Sequence, residues 1–343
     1  MPNSEPAGYS NALDISVVVP VRDEEDSVSA LLEGLLGQTL PPAEIVITDN
    51  GSTDRTTDIV EEFISRGAPV KLMREKTGFP GRGRNVSVAH SHCDWISFTD
   101  AGNRPASDWL EALAQKVREN SAVDVVYGTY EPVVDSFFKE CAAIAYVPPP
   151  FECGGGFVRP CSIVSALMRR SVWETVGGFR EDLRSAEDLL FMRAVEQAKF
   201  NIVRAPHALV SWSIQPNLWQ TFRRFVVYSR NNIRAGLFSE WQGRIFLRYA
   251  LIAALSALAI FLGWQWLFIP LILWLLLTSA RALKAVNRNR NYPASYVRNF
   301  ARLFLIIPIL ASLDAATFIG SINWLVCDKL RWAGSRKDNV PRE

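Results

Sequence analysis

The stretch that decides the fold is ISVVVPVRDEEDSVSALLEGLLGQTLPPAEIVITD, residues 15–49. It begins with a β-branched run closed by a proline, which is typical of a strand buried inside a parallel sheet. Leucines at helical spacing over 27–37 predict an amphipathic helix, and EIVIT at 44–48 predicts the next strand. Strand, helix and strand in this order indicate an α/β domain with a mainly parallel sheet.

The alternation of strands and helices continues to about residue 127. Further strands are predicted at 70–73, 94–99 and 123–127. Further helices are predicted from about 53 to 66, near 84–92 and at 108–120. The Gly/Pro-rich segment Gly78–Gly83 is predicted to be a loop, so Arg82 and Arg84 would belong to a loop that leads into a helix. Ligands bind at the carboxyl ends of parallel strands, where Asp49 and Asp100 are expected.

The charge of the chain is divided between its two parts. Residues 1–218 carry 20 Lys and Arg against 30 Asp and Glu, whereas residues 219–343 carry 17 against 5. Apolar residues make up 49% of the chain, which excludes a disordered protein. A basic part suits nucleic acid or anionic lipid. Because the basic residues flank long apolar runs, we expect a membrane as the partner and no nucleic acid.

The longest apolar run covers residues 249–280 and holds 32 positions without a charge. A membrane span needs about 20 such residues, so one straight helix would be too long for the hydrocarbon core. Gly263 and Pro270 offer break points. We predict two short membrane helices that meet near Gly263–Trp266, with a single tilted and kinked helix as the alternative.

A second apolar run, residues 303–327, contains one charge, Asp314. The run is predicted to be re-entrant or a short hairpin, which gives two to four membrane segments in total. Asp314 is expected to face protein or an aqueous cavity, because an acid at mid-bilayer is costly. It is therefore a candidate residue for the headgroup of an acceptor, with an acid at a helix break near the interface as the alternative.

The orientation follows from the basic residues and the N-terminus. The segment 281–302 holds six basic residues and no acid, which the positive-inside rule places in the cytoplasm. The C-terminal tail, 331–343, is also basic. The first residues are polar and lack the apolar core of a signal peptide. We therefore expect a multi-pass protein of the cell membrane with its acidic head in the cytoplasm.

Four stretches in order resemble a family 2 glycosyltransferase with the GT-A fold: VVVPVRDEEDSVSALLEGLLGQTLPPAEIVITDNGSTDRT, GRGRNVSVAH, FTDAGNRPASDWL and VGGFREDLRSAEDLLFMRAVEQ. The resemblance covers about residues 14–215. It implies a Rossmann-like, mainly parallel α/β catalytic domain followed by an α-helical membrane region. The predicted organisation is a polar tail (1–13), a GT-A domain (14–218), interfacial amphipathic helices (219–248), transmembrane helices (249–330) and a cytoplasmic tail (331–343).

The resemblance also assigns the binding of a nucleotide-sugar donor. The donor-binding residues that it implies are Pro20, Arg22, Glu24, Asp49, Arg84, Asn85 and Asp100. Of these, Asp49 would accept a hydrogen bond from the base, with stabilisation of the turn after its strand as the alternative. The family often has two successive Asp residues here, whereas this chain has Asp49-Asn50.

A divalent cation, Mg²⁺ or Mn²⁺, is the expected cofactor. The family usually presents Asp-x-Asp to the diphosphate of the donor, and hard cations take oxygen ligands. Here the motif reads Asp100-Ala101-Gly102, so its last acid is missing. Asp100 would then bind the metal alone with the diphosphate and water, or with the help of Asn103 or a distant residue.

The catalytic prediction concerns Glu187 and Asp188. Inverting transfer needs a base that takes a proton from the acceptor hydroxyl. The resemblance implies that Asp188 is this base and that Glu187 positions loops or the acceptor, with capping of a helix as the alternative. If the acceptor were a phosphate, which is already ionised, no base would be required.

The chain is therefore predicted to be an inverting, membrane-bound glycosyltransferase of the hexosyl-transferring type with a lipid or polyprenyl-linked acceptor. The segment 219–234 is predicted to be an interfacial helix whose Arg223 or Arg224 meets a diphosphate or a lipid headgroup. The alternatives are a polysaccharide synthase-like enzyme and a non-catalytic scaffold or binding protein built on the GT-A fold.

Overall fold

The computed structural model describes residues 13–289 and 292–330. Most of the predicted N-terminal tail and all of the predicted C-terminal tail lie outside the described residues. Arg290, one of the basic residues of the segment 281–302, lies outside them as well.

The centre of the N-terminal part is an eight-stranded sheet with the order β3-β2-β1-β4-β9-β6-β10-β5, beside a separate two-stranded hairpin, β7–β8. The strands are β1 (Ile15–Val21), β2 (Glu44–Asp49), β3 (Val70–Arg74), β4 (Trp95–Phe98), β5 (Asn103–Pro105), β6 (Val125–Val133), β7 (Phe151–Cys153), β8 (Gly156–Val158), β9 (Ala166–Arg169) and β10 (Ile202–Ser213). Only β9 and β5 pair antiparallel within the large sheet. The mainly parallel sheet is therefore confirmed.

Helices cover both faces of the sheet. The helices of this part are α1 (Val28–Leu36), α2 (Thr56–Ser65), α3 (Pro80–His90), α4 (Trp109–Glu119), α5 (Phe137–Tyr146), α6 (Arg170–Val176) and α7 (Glu187–Gln197). Alternate residues of β1 point to opposite faces. Val17 packs in one core with Leu31 and Leu110, whereas Val18 packs in the other with Val88 and Phe191.

One predicted boundary in this part is wrong. The helix expected near 84–92 begins at Pro80, so Arg82 and Arg84 lie inside α3 and not in a loop before it. Proline is favoured in the first turn of a helix because its missing N–H would have no partner there. The glycines allow the helix to approach its neighbours, since a Cβ at Gly83 would come within 2.9 Å of Pro20 Cβ.

The C-terminal part is helical. Its helices are α8 (Leu218–Arg234), α9 (Phe238–Trp241), α10 (Gly243–Leu262), α11 (Phe268–Arg288) and α12 (Tyr296–Trp324). Three segments are long and apolar enough to cross a membrane: Gly243–Leu262, Trp264–Arg288 and Tyr296–Lys329. The break between α10 and α11 falls at Gly263, as predicted, where φ is +131°.

The prediction for the second apolar run is wrong. It is neither re-entrant nor a hairpin, because α12 is one continuous helix with Pro308 inside it. A proline in a helix removes one hydrogen bond, and burial of a helix face can outweigh that loss. The buried face of α12 packs on α5 and α8, with Ile306, Ile309 and Leu313 in a shared core with Ile144.

Polar contacts also fasten α12 to the head. At its start Arg302 donates to Glu140 of α5 at 2.6 Å, and both side chains are buried. In the middle Ser229 of α8 donates to the carbonyl of Thr317 at 2.8 Å. Asp328, four residues beyond the last residue of α12, Trp324, accepts a hydrogen bond from Arg230 of α8 at 2.7 Å. Both ends of α12 are therefore bound to elements that belong to or lie against the head.

Gly320 tests this packing. A Cβ there would lie 2.5 Å from the carbonyl oxygen of Val226 and 2.5 Å from Ser229 Cβ, so Gly320→Ala should separate α8 from α12. Overpacking of this kind costs about 1–3 kcal/mol. We expect a lower thermal midpoint for the detergent-solubilised variant. Gly34→Ala on α1, where a Cβ meets nothing within 4 Å, is the matched control and should not lower it. Equal midpoints for the two variants would contradict the described packing.

Candidate active site

Arg84 lies among acidic side chains at the carboxyl end of the sheet. Its buried guanidinium donates from Nη1 to Glu187 Oε1 at 2.8 Å and from Nη2 to Asp100 Oδ1 at 2.7 Å. It also lies 5.4 Å from the ring centroid of Phe179, within the range of a cation–π contact. A buried cation is costly unless it is paired. Arg84 therefore binds α3 to Asp100, two residues after β4, and to the start of α7.

The two predicted catalytic acids begin α7 and have different surroundings. Ala186, directly before them, has a φ of 71°, in the left-handed region that residues with a Cβ rarely adopt. Glu187 is buried and points to Arg84, so it does not cap its own helix. Asp188 is partly exposed and accepts the N–H of Leu189 at 2.8 Å.

Burial raises the pKa of both acids, and a neighbouring carboxylate adds to each rise. Burial raises the pKa of Glu187 to about 7, and the neighbouring Asp188 contributes in the same direction. Burial is also the largest cause of the raised pKa of Asp188; Arg84 opposes the rise and Asp100 adds to it. Carboxylates with raised pKa values beside a single cation are typical of sites that transfer protons.

Asn85 holds the turn before α7. Its Oδ1 accepts the backbone N–H of Phe179 at 2.8 Å and the indole N–H of Trp173 at 3.1 Å. Its Nδ2 donates to the carbonyl of Phe179 and to Glu181. The turn comes close, because a Cβ at Gly178 would lie 2.7 Å from Asn85 Oδ1. The structure therefore gives Asn85 contacts with protein, and its assignment to the donor stays a prediction.

The loops after β1 and β2 are joined by hydrogen bonds. Asp23, with a φ of 54°, accepts the N–H of Thr53 at 2.8 Å, and the N–H of Glu24 donates to Thr56 Oγ1 at 2.7 Å. At the end of β2, Asp49 is buried and accepts the N–H of Ser52 at 3.0 Å. Asp49 therefore stabilises the turn after its strand, as the alternative interpretation predicts. A hydrogen bond from Asp49 to the base of a nucleotide stays a prediction.

Glu24 and Arg224 lie close enough to Asp100 for their charges to interact with it. Burial raises the pKa of Glu24, Asp100 raises it further, and Arg224 lowers it, so both charges act on this carboxyl. Arg224 extends from α8, is exposed and donates from Nε to Tyr228 Oη at 2.6 Å. The structure thus places a residue of α8, the helix that precedes the apolar helices, near the acidic cluster.

Three buried polar atoms at the strand ends have no hydrogen-bond partner among the described residues. They are Asn50 Oδ1 after β2, Thr99 Oγ1 after β4 and Asn103 Nδ2 at the start of β5. Buried polar groups are normally paired with protein or water. Unpaired atoms at this edge are consistent with a ligand site. Asn50 is not among the residues that the sequence predicts to bind the donor. Its position directly after Asp49, at the end of a strand, is the signal that indicates it.

The other predicted residues lie apart from the cluster or at its margin. Pro20 is buried against Gly83, whereas the side chain of Arg22 is half exposed, as is Arg223 on α8. Asp314 is buried between α10, α11 and α12, as expected for an acid that faces protein. The structure therefore assembles Glu24, Arg84, Asp100, Glu187 and Asp188 with Arg224, and leaves Asp314 in the helical part.

The mainly parallel sheet with helices on both faces is the GT-A type of fold. A solved structure with the same fold is the mannosyltransferase PcManGT from Pyrobaculum calidifontis in complex with GDP-Man and Mn²⁺. It matches 92% of this chain and 87% of its own with a TM-score of 0.53 at 17% sequence identity, a likeness of fold alone.

Residues 16–175, just under half of the chain, match the model of glycosyl transferase family 2. The uncharacterized glycosyltransferase EpsJ of Bacillus subtilis is 25% identical over 195 residues, which are 55% of each chain. The poly(ribitol-phosphate) beta-N-acetylglucosaminyltransferase TarS of Staphylococcus aureus is 27% identical over 187 residues, 52% of this chain and 32% of TarS. The chain thus spans about half of the first relative and a third of the second.

Proposed function

We propose that the protein is a membrane-bound, inverting glycosyltransferase that moves a sugar from a nucleotide-sugar donor to a membrane-embedded acceptor. The observation that carries this proposal is the cluster of Asp100, Glu187 and Asp188 around Arg84 at the carboxyl ends of the strands. The glycosyltransferase names of the relatives support a transferase, and the structure of PcManGT is a complex with GDP-Man.

In the proposed reaction Asp188 is the base. It takes the proton from the acceptor hydroxyl while the hydroxyl oxygen attacks the anomeric carbon and the nucleoside diphosphate leaves from the opposite face. The raised pKa of Asp188 makes it a stronger base than a free carboxylate, and its partial exposure leaves it open to an acceptor. Glu187 and Arg84 hold the start of α7 in place, so their role is one of positioning.

A divalent cation fits Asp100 only as a shared ligand. One carboxylate oxygen of Asp100 binds Arg84 and the side chain is 38% exposed, so the other oxygen is open to a ligand. Residues 13–289 and 292–330 hold no group of three His, Cys, Asp or Glu side chains that could bind a metal. Asp100 would therefore hold the cation together with the diphosphate and water, and the cation would neutralise charge on the leaving group.

The path from the site to the membrane helices supports a membrane acceptor. The N–H of Arg184, just before α7, donates to Asn231 Oδ1 of α8 at 3.2 Å. Two residues earlier on α8, the carbonyl of Ser229 accepts Gln242 Nε2 at 2.7 Å, directly before α10 begins. The acidic cluster is therefore connected to the first apolar helix through one helix, α8.

We propose the following orientation for the helical part. The hairpin α10–α11 crosses the cell membrane and returns, which leaves the head and the basic segment 281–302 on the cytoplasmic side. Helix α12 lies along the cytoplasmic surface, because its two ends bind Glu140 of α5 and Arg230 of α8. This arrangement keeps the predicted cytoplasmic side for the C-terminal tail.

Asp188→Asn tests the base. We expect transfer to a hydroxyl acceptor to fall about 10²–10⁴-fold, because a positioned general base contributes that much, while donor affinity measured by calorimetry is retained. Asp182→Asn, which changes an exposed acid of the same loop that pairs with Arg180, is the control and should keep the wild-type rate. The wild-type rate should fall as pH is lowered through the raised pKa of Asp188, since the base must be ionised.

Two outcomes would count against this proposal. Near-normal transfer by Asp188→Asn would refute the role of Asp188 as the base and would favour a phosphate acceptor. No turnover of any nucleotide sugar by the wild-type protein, by transfer or hydrolysis, would favour a non-catalytic GT-A protein.

Asp100→Asn tests the cation. The amide keeps the shape of the side chain and an oxygen for Arg84 but loses the charge that a cation needs. We expect Mn²⁺ to strengthen donor binding to the wild type and not to the variant. Asp108→Asn, an exposed acid before α4, should behave as the wild type. If EDTA leaves wild-type donor affinity and transfer unchanged, Asp100 is not a metal ligand.

Single-cysteine labelling tests the orientation in a protein that lacks the five native cysteines. Gln265→Cys, at the exposed turn between α10 and α11, should react with an impermeant thiol reagent from outside intact cells. Ser295→Cys, directly before α12, and Lys329→Cys, five residues after it, should react only after permeabilisation. Outside labelling of Lys329→Cys would mean that α12 crosses the membrane, and outside labelling of Ser295→Cys would overturn the hairpin.

A further inference from the structure

A groove opens between the three long apolar helices. It has a volume of about 450 Å³ and is open along part of its length. Its walls are almost wholly apolar, and the lining residues are Tyr249, Trp274, Ala311, Ala315, Phe318 and Ile319. A groove of this size and character, between helices that are apolar enough to cross a membrane, suits a hydrocarbon chain.

The inner end of this groove is polar. Trp274 Nε1 donates to Tyr249 Oη at 3.0 Å, and Tyr249 Oη in turn donates to Asp314 at 3.2 Å. Asp314 is 1% exposed and also accepts Arg281 at 2.6 and 3.0 Å and Arg248 at 3.1 Å. Two guanidinium groups therefore meet one carboxylate, which leaves one positive charge in excess beside the apolar walls.

Arg248 has N–H groups that do not contact Asp314. Arg248 binds Asp314 through Nη1 alone. Its Nε and Nη2 have no hydrogen-bond partner within the described part of the chain. The side chain is 19% exposed, so these two groups can reach a ligand. Arg244 lies one helical turn before Arg248 on the same face of α10 and is exposed. Arginines spaced in this way bind a phosphate through several N–H groups at once.

The position of these arginines agrees with a headgroup. Arg244 and Arg248 belong to the first two turns of α10, and α10 begins beside Gln242, which binds Ser229 of α8. The phosphates of a bilayer lie at such a boundary between head and apolar helices, and juxtamembrane arginines attract them. The groove then extends from the arginines along the apolar part of the helices.

We infer that Arg244, Arg248 and the groove beside Asp314 bind a long-chain lipid phosphate, with the phosphate on the arginines and the chain between α10, α11 and α12. This lipid carries the acceptor hydroxyl beyond its phosphate, so the inference rests on the proposed function and names the class of its acceptor. Asp314 is the counter-ion that holds Arg281 and Arg248 in place, and it does not contact the lipid phosphate.

Direct binding tests the site without any transfer reaction. The full-length protein is placed in phosphatidylcholine nanodiscs, and binding of radiolabelled farnesyl phosphate is measured in the absence of donor. We expect Arg248→Gln and Arg244→Gln each to weaken binding about tenfold, since each removes a charge-assisted hydrogen bond. Arg288→Gln, which changes an exposed arginine at the end of α11, is the matched control and should bind as the wild type.

Competition identifies the ligand class. Unlabelled farnesyl phosphate should displace the label, whereas farnesol, which lacks the phosphate, and phosphatidylglycerol, an ordinary anionic lipid, should not. Equal displacement by phosphatidylglycerol would make the groove a general lipid site and overturn the inference, and so would equal affinities of Arg244→Gln and the wild type. Arg244 has no contact with Asp314, so its variant remains informative if Arg248→Gln unfolds.

Because no sugar is transferred in this assay, its outcome is independent of the catalytic proposal. If the wild-type protein turned over the donor but did not bind farnesyl phosphate, the lipid site would be refuted and the transferase proposal would stand. Normal binding without turnover would do the reverse.

Discussion

The paired guanidinium of Arg84 is the interaction on which the acidic site depends. Glu187 is buried and Asp100 is partly buried. Because both carboxylates contact the same guanidinium, they lie near each other, and without it their negative charges would repel in a medium of low dielectric. A single cation between them offsets part of that repulsion and supplies two hydrogen bonds of fixed geometry. The same contacts fix α3, the end of β4 and the start of α7, so the elements that carry the acids cannot move independently of one another.

Helix α8 extends this constraint from the head to the helical part. Arg224 on one side of the helix acts on the carboxyl groups of the site, whereas Ser229 and Gly320 bring α8 and α12 into close contact. A soluble acceptor would not need a site joined in this way to apolar helices. The geometry explains why a membrane acceptor is the more economical proposal, and why the excess charge at Arg248 lies where such an acceptor would enter.

Much of the fold could be predicted from local patterns, and the errors have physical causes. The β-branched runs and leucine spacing that predicted β1, α1 and β2 agree with the structure to within about one residue. The Gly and Pro residues of 78–83 predict a loop, but Pro80 occupies the first turn of α3, a position where proline is favoured because its missing N–H would have no partner there. The continuity of α12 was missed because its burial against α5 and α8 cannot be read from residues 303–327.

The sequence by itself determined the class of fold, the identity of the acids and the presence of a basic, apolar C-terminal part, because these depend on periodicity and residue type. Only the tertiary structure decided how those residues are used. It directed Asn85 to the turn at Phe179, joined Arg84 to both Asp100 and Glu187, and gave Asp314 two arginine partners. These contacts join residues 16 to 103 positions apart in the chain, and such partners are set by the packing of whole elements, which no local pattern encodes.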